Sequence, residues 1–174
     1  KHDWQTLVAT IMSAQSRDET TIPIAERLFE KFFSLNDLSH AKYYDVLEVM
    51  KSLNYNRTKA RNVISCAKML VDAFDGKVPD DIDELVRLPG VGRKTANLVL
   101  SEVYGKDSIT IDTHCHRILN VLGVVHTKTP TETEMEMRKI APRKYWSRIN
   151  RLFVLWGKEV PGRDKKRLLD ALKQ

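Results

Sequence analysis

Lys94 and Asp112 are the residues of this chain whose types and placing best suit covalent chemistry. Lys94 closes the run Leu88-Pro89-Gly90-Val91-Gly92-Arg93-Lys94, and Asp112 follows eighteen positions later (94 to 112) in Ile111-Asp112-Thr113-His114. A Gly-Val-Gly turn at the start of a helix offers bare backbone N–H groups to an anion such as a phosphate. An unprotonated amine is a nucleophile, and a fixed carboxylate can stabilise positive charge on the carbon it attacks. Together these residues point to a chain that grips a DNA backbone and does amine chemistry on the sugar attached to it.

Each residue also has an ordinary reading. Gly90 and Gly92 could simply close a tight helix–helix turn. Lys94 could be a second phosphate-binding cation beside Arg93. Its place in the first turn of a helix favours the nucleophile, because the macrodipole and Arg93 both disfavour the protonated amine. Asp112 precedes a helix predicted from Thr113 and suits a plain N-cap. Capping and catalysis are compatible, since a held carboxylate stays ionised. The cluster His114-Cys115-His116 suggests a metal. On a helix, however, residues two apart point to opposite sides, so local packing is the better reading.

The elements that must position these residues read as helices. Trp4, Leu7, Val8, Ile11 and Met12 recur at helical spacing, as do Ile24, Leu28 and Phe32, and later Val46, Leu47, Met50 and Leu53. A long amphipathic stretch covers about 58–74 and ends at Asp75-Gly76. A short helix over 82–86 leads into the hairpin, and the next runs to about Gly105. Residues 108–111 are β-like in propensity but too short to anchor a sheet. Helices follow at about 113–122, 131–140, 145–158 and 165–172. The pattern predicts an all-α fold without low-complexity linkers or repeats.

Composition sets the outer bounds. The 174 residues suit one domain or two small lobes, and 42% hydrophobic content supports a real core. A net charge of +6, with a pI near 9.3, favours a polyanionic partner. Two cysteines, Cys66 and Cys115, make no disulfide framework and fit a reducing, intracellular setting. No apolar run is long enough to span a bilayer.

Four motifs combine into a resemblance: MSAQSRD (12–18), YNRTKA (55–60), VPDDIDELVRLPGVGRKTANLVL (78–100) and IDTHCHRI (111–118). The chain resembles the endonuclease III family of helix-hairpin-helix DNA glycosylases over essentially its whole length. The resemblance implies a two-lobed helical fold with the DNA cleft between the lobes. One lobe would take about 15–112, with the helix-hairpin-helix at 81–105. The other would join 1–14 to 113–174. It further implies base-excision repair, with a damaged nucleotide flipped out of the duplex. Lys94 would attack the sugar, Asp112 would be the essential carboxylate, and β-elimination would nick the strand. Gln15 would fill the space left by the flipped nucleotide, and Tyr55 would be the wedge in the loop Asn54-Tyr55-Asn56. Close relatives more often have glycine where Asn54 stands, and asparagine can still adopt the left-handed conformation that glycine would. Leu88, Gly90, Val91, Gly92, Arg93 and Thr95 would complete the DNA contact.

One departure is large. Many relatives bind a [4Fe–4S] cluster through four cysteines after the last long helix. Here that region, WGKEVPGRDKKRLLDALKQ, contains none. No cluster is expected, and a monovalent cation at the hairpin is left open. Lys165, Lys166 and Arg167 are expected to supply phosphate contacts, and Leu168, Leu169 and Leu172 to pack the tail. The expected substrate is double-stranded DNA carrying an oxidised or ring-damaged pyrimidine or an abasic site. The expected state is a monomer located with DNA: cytoplasm or nucleoid in a prokaryote, nucleus in a eukaryote. Two alternatives stay open. One is a mismatch glycosylase that removes thymine or uracil opposite guanine, or adenine opposite oxidised guanine. The other is a hairpin module that only holds DNA.

Overall fold

The computed structural model describes residues 2–171, apart from the side chain of Asp18. The described residues form helices and no strand, so the fold is all-α. They fall into two compact units, Lys1–Tyr104 and Gly105–Gln174.

The first unit contains α1 (Asp3–Ser13), α2 (Asp18–Lys31), α3 (Leu35–Ser39), α4 (Tyr43–Met50), α5 (Asn56–Phe74), α6 (Ile82–Leu85) and α7 (Arg93–Tyr104). α5 packs against α1, α3 and α4, burying Ala60, Val63, Cys66, Ala67 and Leu70. These residues recur every three or four positions and form the stripe that a core-facing helix needs. The sequence reading grouped residues 1–14 with the C-terminal helices. In the structure, α1 packs on α2, α5 and α7, and its stripe Trp4, Leu7, Val8, Ile11 and Met12 lies in the first core. Asp75, left-handed at φ +53, and Gly76 end α5 where the sequence predicted a stop.

The second unit contains α8 (Thr113–Leu122), α9 (Pro130–Ile140), a 3-10 turn (Arg143–Tyr145), α10 (Trp146–Glu159) and α11 (Lys165–Ala171). Its core gathers Ile109, Ile111, Cys115, Leu119, Val125, Met137, Trp146 and Ile149. The β-like segment 108–111 is buried coil: its β-branched residues serve as core anchors, not as a strand. Ile118, Val160 and Leu168 form a smaller cluster under the tail. Leu168 packs as expected, whereas Leu169 is 41% exposed, and Leu172 lies outside the described residues.

Candidate active site and nucleic-acid interface

The hairpin joins α6 to α7. Asp81 caps α6, its carboxylate accepting from the N–H groups of Asp83 (2.8 Å) and Glu84 (3.2 Å). Buried Leu85 and Leu88 anchor the loop, and the Val91 N–H donates to the Leu88 carbonyl at 3.0 Å. Gly90 has φ +82, and a Cβ placed there would meet the Asn62 Cβ at 2.9 Å and the Ile11 Cγ2 at 3.0 Å. Only glycine combines that backbone conformation with that approach. At Gly92 a Cβ would meet nothing within 4 Å, so this part of the turn is open.

α7 begins at Arg93, and the Ala96 N–H makes the first bond of its ladder, to the Gly92 carbonyl at 2.9 Å. The N–H groups of its first turn precede that bond and lie at the positive end of the helix dipole, where an anion is favoured. Lys94 is exposed in this turn. The side chains of Leu88, Val91 and Thr95 are buried.

Two further loops meet the hairpin in one pocket of about 350 Å3, lined by Gln15, Tyr55, Lys59, Asn62 and Gly90 among others. Gln15 and Tyr55 are both left-handed, at φ +55 and +56. Such a conformation in a non-glycine residue costs on the order of 1–3 kcal/mol and persists only where its surroundings enforce it. The sequence reading placed the left-handed residue at Asn54; the structure places it at Tyr55, the N-cap of α5. Asn54 instead uses its amide to donate from Nδ2 to the Gln15 carbonyl at 3.0 Å. Asn56 donates from Nδ2 to the Lys51 carbonyl at 2.8 Å, closing its own loop. Tyr55 is 67% exposed and is therefore no core aromatic.

Lys59 and Asn62 were not identified from sequence. Lys59 is only 5% exposed, and its Nζ donates to the Ser16 Oγ at 2.7 Å. Burial pushes its amine below the ordinary lysine range. The signal was present: positions 55, 59 and 62 share one face of a helix.

In the second unit, Asp112 is the N-cap of α8, its Oδ1 accepting from the Cys115 N–H at 2.9 Å. Its carbonyl accepts from the His116 N–H at 2.9 Å. The carboxylate is half-buried, and Oδ2 lies outside the cap bond. The three residues of the possible metal cluster go separate ways. His114 packs on Gly157, where a Cβ would fall 2.4 Å from its Nδ1. The Cys115 Sγ faces Asn150 at 3.6 Å from Oδ1. The His116 Nδ1 pairs with the Thr133 Oγ1 at 2.7 Å.

A [4Fe–4S] cluster needs four thiolates. The cysteines of this chain are Cys66 in α5 and Cys115 in α8, both buried and in different units, and they do not fit it. The loop after α10 is organised by other means. The Arg117 guanidinium donates to the carbonyls of Gly157, Val160 and Gly162. Lys165 donates to the Leu122 carbonyl at 3.1 Å.

Residues 8–143 match the family described as HhH-GPD superfamily base excision DNA repair protein. The chain is 40% identical to endonuclease III of Thermotoga maritima over 90% of this chain and 74% of that protein. It is 34% identical to endonuclease III of Bacillus subtilis, over 89% and 71%. A solved structure of a trapped endonuclease III–DNA covalent intermediate superposes with a TM-score of 0.83 at 35% identity, covering 91% of this chain and 75% of that one. A thermostable thymine-DNA glycosylase superposes with a TM-score of 0.77 at 17% identity, over 94% and 78%; that likeness is one of fold alone.

Proposed function

The chain belongs to the HhH-GPD superfamily of base excision DNA repair proteins, and from that membership we propose a DNA glycosylase with abasic-site lyase activity. Its substrate is duplex DNA carrying an oxidised or ring-damaged pyrimidine, and it acts as a monomer. The observation that carries the reading is the exposed Lys94 amine in the first turn of α7, next to a hairpin whose Gly90 lines the same pocket as Gln15 and Tyr55.

The N–H groups at the start of α7 hold a backbone phosphate without reading sequence. The damaged nucleotide leaves the stack, Gln15 fills the gap, and Tyr55 stacks on exposed bases. The Lys94 lone pair attacks C1′ of the sugar. The bond from C1′ to the base breaks, and the base departs with the proton that the attacking amine gives up. The Asp112 carboxylate stabilises the positive charge that develops on the sugar. Ring opening gives a Schiff base between Nζ and C1′. Loss of a C2′ proton then expels the 3′ phosphate, and the strand is nicked on that side of the lesion. No step passes through a metal or a cluster.

Borohydride trapping on a duplex with an abasic site tests this directly. A covalent adduct is expected with the native chain and none with Lys94→Gln. A folded native chain that forms no adduct, or a Lys94→Gln variant that still forms one, overturns the assignment.

A further inference from the structure

We propose that Lys59 is a positioning residue for Gln15, clamping the loop 14–17 to α5 so that the gap-filling amide is presented before DNA arrives. The inference rests on the glycosylase reading, which supplies the role of Gln15. Lys59 belongs to the core face of α5, where ammonium groups are rarely found unless they are held. Its Nζ is committed to the hydroxyl of Ser16, the residue that follows Gln15.

That bond is one of several that hold this loop. Asn54 holds the Gln15 carbonyl, and the Ser16 N–H donates to the Ser13 carbonyl at 2.9 Å. The bonds from Asn54 and Lys59 reach the loop from around the start of α5 and hold it at the carbonyl of the left-handed Gln15 and at the Ser16 hydroxyl that follows. A glutamine free to rotate its backbone would have to be ordered at the moment of binding. One already fixed avoids that entropy loss. Lys59 also lines the pocket beside Gln15, so a rival role is direct contact with a DNA phosphate.

The two roles predict different binding data. The probes are a duplex with a tetrahydrofuran abasic analogue and the same duplex undamaged. Lys59→Met should weaken analogue binding by about tenfold, the order expected of one charged hydrogen bond. Undamaged binding should change by less than about twofold, within the usual range for an uninvolved site. In a Gln15→Ala background, Lys59→Met should add almost nothing, because its effect runs through the missing side chain. Ser16→Ala should reproduce the loss at smaller size, and it carries the test if Lys59→Met does not fold.

An equal loss on both duplexes, or a full loss retained in the Gln15→Ala background, overturns the proposal. If the native chain shows no preference for the analogue, the glycosylase reading fails on its own. Amide exchange then decides the clamp: faster exchange at Ser16 in Lys59→Met supports it, and unchanged exchange overturns it.

Discussion

The main chain of Gly90 runs so close to the side chain of Asn62 that a single added methyl would fall 2.9 Å from the Asn62 Cβ. The hairpin is thereby seated on α5, and the left-handed φ of Gly90 leaves no L-residue a comfortable alternative. Gly90→Ala should lower stability by roughly 1–3 kcal/mol and disturb DNA binding as well. Gly92→Ala, with open space around its Cβ, should cost less than about 1 kcal/mol and act on DNA affinity alone. Urea melts and binding curves on the two variants check the contrast.

Lys94 is exposed, so Lys94→Gln should leave stability within about 0.5 kcal/mol of the native chain. Nicking should be lost and damaged-duplex binding largely kept. A melting curve beside a nicking assay separates lost chemistry from lost fold.

Asp112 has two roles that substitution can divide. Asn is as good an N-cap as Asp, so Asp112→Asn should keep α8 intact while slowing base release strongly. Asp112→Ala should slow release equally and also cost about 1 kcal/mol of stability through the lost cap. Equal stability of the Ala and Asn variants would show that the cap contributes nothing measurable.

Burial pushes the Cys66 thiol from its ordinary 9.0 up to about 12. The folded chain therefore keeps a proton that the unfolded chain has given up. Its stabilising contribution is complete below pH 9.0 and is lost as pH rises through the window to about 12. Urea midpoints should fall across that window, and Cys66→Ala should lose this part of the fall. The same burial should make Cys66 inert to alkylating reagents until the chain unfolds.

Pattern carried the reading of the helices far. The stripe from Trp4 to Met12 and the face of α5 are apolar at helical spacing, and packing followed that spacing. The partner of each stripe is a different matter. Nothing local to residues 1–14 says that their apolar side meets α5 and α7, so α1 was grouped with the wrong neighbours. Ile109 and Ile111 carry strand propensity, yet burial alone satisfied them once no partner strand lay beside them.

The hairpin was legible because glycine positions report backbone demands directly. Lys59 was not, because a lysine in a polar run reads as solvated until a second loop is seen to cover it. Asn54 stands where relatives have glycine, and intrinsic preference allows it the left-handed conformation. The fold uses its amide to hold Gln15 and lets Tyr55 take the strained backbone.

The contact between Gly157 and His114 has a bearing beyond packing. α10 meets α8 there with no room for a single methyl, because a Cβ on Gly157 would lie 2.4 Å from the His114 Nδ1. Asp112 caps the head of that helix, two positions before His114 (112 to 114). Any side chain added at Gly157 would therefore press on the very helix that Asp112 heads, as a wedge driven beside a hinge pin.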